Sequence, residues 1–229
     1  MKILALDTAS ATGSVALLDG SKLVAESLLN IKAVHSERLL DQVQQVLQAG
    51  KLTLEELDLI AVVRGPGSFT GLRIGLATAK GLAQAANLQV LGVSSLQLLA
   101  MNLPLCALPV CAFLDARKQE VYTALYFWRE GIPVAAGPEL VLPPEKALRR
   151  LDGEVALVGD AVDLYRPLID EILGERARVP AACHHQPRAS AAAALAARLY
   201  QPGQQFSAAQ LTPVYIRPSD AELKPLKAG

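Results

Sequence analysis

The chain carries the same strand pattern twice, and this repetition limits the folds that it can adopt. Residues 3–7 (ILALD) form a short apolar run that ends in aspartate, and residues 111–115 (CAFLD) repeat it. Two further apolar runs follow each aspartate at matching distances: 15–18 and 23–27 in the first case, 123–126 and 131–135 in the second. Short apolar runs between turn residues are typical of strands. We therefore predict two related α/β halves, residues 1–103 and 104–229, with a last helix that can pack back on the first half.

The remaining pattern alternates strands with helices. Asp19-Gly20 predicts a tight hairpin, because glycine tolerates the positive φ of such a turn. Periodic apolar residues predict a surface helix from His35 to Ala49 that ends at Gly50. Pro167 should divide or kink a helical stretch. Strands are also predicted at 59–63, 90–93 and 155–159, helices at 53–57, 94–100, 143–150, 161–173 and 189–200, and an extended tail at 212–218.

One strand, turn and helix unit stands out by its composition. The apolar strand Leu59–Val63 is stopped by the turn Gly65-Pro66-Gly67. Ser68 or Thr70 can then cap the free N–H groups of a helix over 71–86.

The surface of this helix is unusual because nearly all of it is apolar or small. Its polar side chains Arg73, Lys80 and Gln84 fall in one narrow stripe. One apolar face contains Leu72, Leu76, Ala79, Ala83 and Ala86, and a second, smaller face contains Ile74, Ala77, Thr78, Gly81 and Ala85. A helix packed only on its own sheet needs one such face. The second face is therefore covered either by the rest of this chain or by a helix of another protein.

Composition describes a globular protein with no charge excess. The 229 residues are 52% hydrophobic, and 22 basic residues balance 22 acidic ones. A neutral surface does not hold nucleic acid by counterion release, so any such contact should come through another subunit. The three cysteines lack paired spacing and read as buried thiols. An acid at residue 7 and the lack of a long uncharged run indicate a cytoplasmic protein without a membrane span.

The two aspartate loops could face a phosphate group, although Asp7 could equally order only its own turn. Phosphate loops use glycine so that backbone N–H groups can approach the oxygens. The second loop, after Asp115, has no glycine, and Gly159 is followed by aspartate instead of a second glycine. We therefore interpret Asp7, Thr8, Asp115 and Gly159 as a degenerate cleft with no assigned cofactor.

The histidines do not predict a metal site. His35 has no other histidine or cysteine near it in sequence, so a capping or hydrogen-bonding role is favoured. Cys183-His184-His185 are adjacent residues in a loop, and three neighbours rarely converge on one ion. We assign neither a metal ligand nor a catalytic residue.

Several motifs together resemble one family. They are Ile3-Leu4-Ala5-Leu6-Asp7-Thr8-Ala9, Gly13-Ser14-Val15-Ala16, His35-Ser36-Glu37, the stretch from Gly65 to Gly75 and Pro213-Val214-Tyr215-Ile216-Arg217. The chain is similar to the TsaB (YeaZ) family over its whole length, densely before Ala100 and sparsely after it. The resemblance implies an α/β fold of two duplicated actin-like ATPase subdomains, each a mixed β-sheet flanked by helices.

The resemblance also implies a non-catalytic role. TsaB is similar to TsaD, the catalytic subunit that transfers a threonylcarbamoyl group to an adenosine beside the anticodon of tRNAs that read codons beginning with A. TsaD carries two metal-binding histidines, whereas Ser95 and Leu99 stand at the matching positions here. We expect ATP and metal to belong to partner subunits and no cofactor to belong to this chain.

The expected partners are a TsaD homologue, bound through a helix bundle, and a TsaE homologue. A homodimer is expected when the chain is alone, and tRNA contact only indirectly. The bundle would use the helices over 35–49 and 71–86, and its expected interface residues are His35, Leu39, Val43, Leu72, Ile74, Ala77, Thr78 and Gly81.

Two alternatives remain at this point. The first is a small-molecule kinase or ATPase that uses Asp7 and Asp115 around Mg-ATP, which tight Mg-ATP binding would reveal. The second is a glycoprotease-like peptidase, for which no motif places a nucleophile beside a base.

Overall fold

A computed structural model describes residues 1–30, 35–204 and 206–217, apart from the side chains of residues 35–37. Its strands are β1 (Lys2–Asp7), β2 (Gly13–Asp19), β3 (Lys22–Leu29), β4 (Leu59–Val63), β5 (Gln89–Val93), β6 (Val110–Asp115), β7 (Val121–Arg129), β8 (Ile132–Ala135), β9 (Leu140–Leu142), β10 (Val155–Val158) and β11 (Ala177–Arg178). Its α-helices are α1 (His35–Gly50), α2 (Phe69–Ala86), α3 (Ser95–Met101), α4 (Pro144–Leu148), α5 (Ala161–Leu164), α6 (Arg166–Ile172) and α7 (Ala189–Leu199).

The two sheets have the same topology, which confirms the predicted duplication. Their strand orders are β3-β2-β1-β4-β5 and β8-β7-β6-β10-β11. In the first sheet β1 pairs antiparallel with β2 and parallel with β4. In the second sheet β6 makes the equivalent pairs with β7 and β10. Each central strand is thus the aspartate-ending run that the sequence repeats.

Most predicted elements are confirmed within two or three residues of their expected ends. Gly20 has a φ of +61° in the predicted hairpin turn. The helical stretch that contains Pro167 is divided into α5 and α6, with the proline in the first turn of α6, where no N–H donor is needed. The short strands β9 and β11 were not predicted, because two or three residues carry no readable alternation.

Each sheet is covered on one side by a helix that follows the strands of the other sheet in the sequence. Residues of α1 and α2 fill one side of the first sheet, and α7 fills its other side. Helix α3 packs against β6, β7 and β8 of the second sheet, while α4, α5 and α6 cover the opposite side. The first sheet is therefore covered on one side by α7, a helix of the second half of the sequence.

Polar side chains of the first sheet hold the N-terminus of α7. The backbone N–H of Ala189 donates to Ser14 Oγ at 3.0 Å, and that of Ser190 donates to Glu26 Oε1 at 2.9 Å. Glu26 also pairs with Arg188. A carboxylate beside free N–H groups suits the positive end of a helix, so these bonds dock α7 as well as cap it.

The glycines of the Gly65–Gly75 stretch are explained by close packing against the loop after β1. A Cβ at Gly67 would collide with the carbonyl oxygen of Ala9, and a Cβ at Gly71 would collide with that of Thr8. A Cβ at Gly75 would collide with the hydroxyl oxygen of Thr8. The N-terminus of α2 therefore lies directly on the backbone of this loop, where no side chain fits.

We predict opposite effects from the same substitution at two glycines of α2. Gly71→Ala should destabilise the chain by about 1–3 kcal/mol, because the new methyl group overlaps a backbone oxygen. Gly81→Ala is the control: no described atom lies within 4 Å of its Cβ position, so the change should stabilise the helix by about 0.5–1 kcal/mol. Urea unfolding of both variants measures this, and equal effects would contradict the packing explanation.

Candidate partner-binding surface and closed cleft

Helix α2 has one buried face and one exposed face. Leu72, Leu76, Ala79 and Ala83 are buried. On the other side Ala77, Gly81 and Ala85 are exposed, and Ile74 and Thr78 are partly exposed. We call these five residues the open face. Within the described parts of the chain, Ala77, Gly81 and Ala85 are left uncovered, whereas Ile74 packs in part against the chain's own core. The predicted division of the helix into two faces is confirmed, and the first face is the one that is buried within the chain.

Three of the expected interface residues lie in the chain's own core. Leu39, Val43 and Leu72 are at most 4% exposed. Leu39 and Val43 pack between α1 and the first sheet, because the apolar stripe of α1 is what covers that sheet. This corrects their placement on a surface. The side chain of His35 lies outside the described residues, whereas Leu40 of α1 is 57% exposed.

An aromatic and arginine cluster stands at the N-terminal end of α2. The ring of Phe69 stacks on that of Tyr215, with centroids 4.9 Å apart. The guanidinium carbon of Arg73 lies 3.8 Å from the centroid of the Phe69 ring, and Arg73 Nε donates to the Tyr215 hydroxyl at 3.2 Å. The predicted tail motif and the glycine-rich motif are therefore in direct contact.

The tail continues from this cluster to the second half. The Val214 N–H donates to the carbonyl of Arg64 at 2.7 Å. Three residues later, Arg217 pairs with Glu120 at 2.8 Å and donates to the carbonyl of Ala116 at 2.9 Å. The segment 212–217 thus spans from the start of α2 to the loop between β6 and β7.

The first candidate phosphate loop is occupied by the chain itself. Thr8 is buried, and its hydroxyl donates to the carbonyl of Gly71 at 2.7 Å. The Ser68 N–H donates to the carbonyl of Ala9 at 2.7 Å. Ser68 also caps α2, as expected, by accepting from the Gly71 N–H. The N-terminus of α2 therefore fills the space in front of this loop.

The second and third candidate loops are also closed by neighbouring residues. The Asp115 carboxylate accepts from the Arg117 N–H at 2.8 Å and pairs with its guanidinium at 3.0 Å. Gly159 contacts the backbone of Phe113, and its N–H donates to His185 Nδ1 at 3.2 Å. The Asp115 carboxylate and the Gly159 N–H thus both have partners within the chain.

One short segment joins these loops across the two halves. His185 is 2% exposed and caps Gly159 in the second half. Its neighbour Gln186 accepts from the Thr12 hydroxyl of the first half at 2.7 Å. Asn102, at the end of α3, donates to the carbonyls of His184 and Gln186 at 2.9 and 2.8 Å. Residues 184–186 therefore contact both halves, and His185 acts as a hydrogen-bond acceptor.

The ionisation of His185 agrees with this role. Loss of hydration on burial lowers the pKa of His185, with opposing contributions from Asp163 and the Pro180 carbonyl. The neutral ring leaves Nδ1 free to accept the Gly159 N–H. Sequence reasoning missed this contact, because residue spacing does not show that Gly159 and His185 meet.

Asp7 is a buried carboxylate with an incomplete set of partners. Its Oδ1 accepts from the Ala9 N–H at 2.8 Å, and within the described residues Oδ2 has no hydrogen-bond partner. Burial raises the pKa of Asp7 from 3.8 to about 7, and the bond from Ala9 lowers it only partly. The structure therefore gives Asp7 the turn-ordering bond that was one of its two expected roles.

Ser95 and Leu99, the two positions that were matched to metal-binding histidines, make other contacts. Ser95 is buried and donates its hydroxyl to the Pro66 carbonyl, and Leu99 is buried between the halves. No cluster of three potential metal ligands occurs among the residues that the structure describes. Over the same residues, no helix combines the length and the hydropathy that crossing a bilayer requires.

The chain consists of two α/β halves whose sheets have the same strand order. This is the architecture of the actin-like ATPase fold. Component A of (R)-2-hydroxyglutaryl-CoA dehydratase from Acidaminococcus fermentans shares this fold, with a TM-score of 0.54 and 12% identity over 87% of this chain and 98% of its own. A much closer likeness is to YeaZ from Pseudomonas aeruginosa, with a TM-score of 0.80 and 34% identity over 93% of this chain and 99% of that one.

Sequence comparison narrows the class to a family. Residues 23–224 match the family described as TsaD, tRNA N6-adenosine threonylcarbamoyltransferase. The tRNA threonylcarbamoyladenosine biosynthesis protein TsaB of Bacillus subtilis (strain 168) is 33% identical, and the alignment covers 98% of this chain and 97% of the relative. The chain belongs to the TsaB family.

We predict that Asp7 makes stability fall as pH rises toward neutrality. The folded state holds this proton more tightly than the unfolded chain, so the contribution is complete below the ordinary pKa and is lost as pH rises through about 7. Relative to Asp7→Asn, which cannot ionise, the wild type should lose roughly 2–4 kcal/mol of unfolding free energy between about pH 4 and pH 8. A difference that stays constant with pH, measured by urea unfolding, would show that Asp7 is not perturbed.

Proposed function

We propose that this chain is a cytoplasmic, non-catalytic subunit of the system that forms threonylcarbamoyladenosine in tRNAs reading codons that begin with A, and that it binds a TsaD homologue through the open face of α2. The part in threonylcarbamoyladenosine formation is supported by its relatives, which are named as proteins of tRNA threonylcarbamoyladenosine biosynthesis. The open face supports the mode of action, because its small residues Ala77, Gly81 and Ala85 are exposed in the described chain. Small side chains let a second helix approach closely.

The closed cleft supports a non-catalytic role. Thr8, Asp115 and Gly159 each have hydrogen-bond partners inside the chain, where an ATPase of this fold would hold nucleotide. Leu99 cannot ligate a metal, and Ser95 is committed to the Pro66 carbonyl. We propose that ATP and the catalytic metal are held by partner subunits.

The other proposed partners follow the same argument. A TsaE homologue would join the complex, and two copies of the chain would pair through the open face when TsaD is absent, since an exposed apolar helix face favours association. Contact with tRNA would be indirect, because the chain has no net charge with which to hold a polyanion.

Charge on the open face tests the binding mode. Ala77→Asp should abolish binding to the TsaD homologue, because it places a carboxylate where a second helix must approach. Ala77 is exposed, so the melting temperature should change little. Ala136→Asp, an exposed alanine in the second half, is the matched control and should bind normally in calorimetry.

Ile74 is a less clean position for the same test. It is partly buried against the core shared by α2 and the first sheet, so a charge there also destabilises the fold. Normal TsaD binding by the Ala77→Asp variant would reject the open face as the docking surface.

Calorimetry with Mg-ATP separates this proposal from an independent kinase or ATPase. The purified chain should show no binding in the micromolar range, because its own side chains occupy the loops that would hold phosphate. The Asp115→Asn variant should behave like the wild type. Micromolar binding that this variant loses would instead favour an enzyme that uses Asp115.

A further inference from the structure

Arg73 is held in a fixed position next to the open face. Its guanidinium lies over Phe69 at 3.8 Å from the ring centroid, and its Nε is bonded to the hydroxyl of Tyr215 at 3.2 Å. Tyr215 in turn stacks on Phe69. These contacts use one face and one edge of the guanidinium, while the side chain as a whole stays exposed.

The remaining donors of Arg73 point to an anionic ligand. With Nε bonded, the two terminal nitrogens remain, and no carboxylate in residues 1–30, 35–204 or 206–217 forms an ion pair with them. A guanidinium presents paired N–H groups in a planar fork that matches a carboxylate. Fixing the fork in advance lowers the entropy that is lost on binding.

The place of Arg73 on the helix indicates whose carboxylate this is. Arg73 precedes Ala77 by one helical turn, so the two residues lie side by side along α2. A helix that packs on Ala77 and Gly81 must therefore pass close to Arg73. Lys80 lies in the same polar stripe and adds a second positive charge beside the open face.

The charge of α2 is one-sided, and this bears on which partner fits. The sequence of α2 contains Arg73 and Lys80 and no aspartate or glutamate. Two copies that pack α2 against α2 bring only positive charges together, whereas a different helix can supply carboxylates. Arrangements of this kind give specificity by repelling the wrong partner as well as attracting the right one.

We propose that Arg73 binds a carboxylate on the docking helix of the TsaD homologue and thereby selects that partner over a second copy of this chain. The proposal rests on the proposed function. Phe69 and Tyr215 are positioning residues, which act by holding the guanidinium. The tail segment 212–217 thus contributes to the docking surface through Tyr215.

Binding constants for a variant series test this assignment. With the full chain and the purified TsaD homologue, Arg73→Glu should weaken binding at least about 30-fold. Arg73→Lys keeps the charge but loses the fork and should weaken it by a smaller factor. Tyr215→Phe keeps the ring and loses the bond to Nε, and should weaken it only a few-fold. The matched control is Lys22→Glu, a charge reversal at an exposed residue next to the first hairpin turn, with wild-type binding expected.

Self-association, followed by sedimentation, provides the second readout. Arg73→Glu should leave it unchanged or stronger, because it places a negative charge on a helix that has only positive ones. Equal weakening of self-association and TsaD binding would overturn the proposal, since a general defect of the surface explains it.

The two proposals fail in different ways. If the wild type binds TsaD and Ala77→Asp does not, but Arg73→Glu binds normally, the docking face stands and the role of Arg73 is wrong. If the wild type does not bind TsaD at all, both are wrong. A partner variant with one docking-helix acid changed to arginine should restore binding of Arg73→Glu.

Discussion

The fold depends on a backbone contact between two segments far apart in sequence. The N-terminus of α2 lies on the loop that follows β1, and three glycines make the approach possible. The contact places hydrogen bonds between Ser68 and Ala9 and between Thr8 and Gly71. Because α2 starts there, its direction over the first sheet is fixed, and so is the side that faces outward.

The same contact occupies the first candidate phosphate loop. The N-terminus of α2 lies against the loop that follows β1, where the Ser68 N–H donates to the Ala9 carbonyl. In the other two loops, His185 accepts a hydrogen bond from the Gly159 N–H, and Arg117 forms an ion pair with Asp115. Further polar contacts join the two halves through Thr12, Gln186 and Asn102. These contacts support the proposed role of the chain as a surface for a partner rather than as an enzyme.

That surface is built from two segments far apart in the sequence, α2 and the tail segment 212–217. The open face and Arg73 come from α2, but the hydroxyl that accepts from Arg73 Nε belongs to Tyr215 in the tail. Through Arg217 the tail also contacts the second half. A partner bound at α2 therefore contacts a structure that both halves stabilise.

Local patterns in the amino-acid sequence were enough for the duplicated strands, the helix with two apolar faces and the cap at Ser68, because each of these depends on residues close together in the chain. They could not show that Leu39 and Val43 face the chain's own sheet, since an apolar stripe looks the same whether a sheet or a partner covers it. Three contacts join residues separated by 26 to 175 positions: the bond from the Gly159 N–H to His185, the docking of α7 on Ser14, and the stacking of Tyr215 on Phe69. Such contacts are set by the packing of whole elements, and no local propensity encodes them.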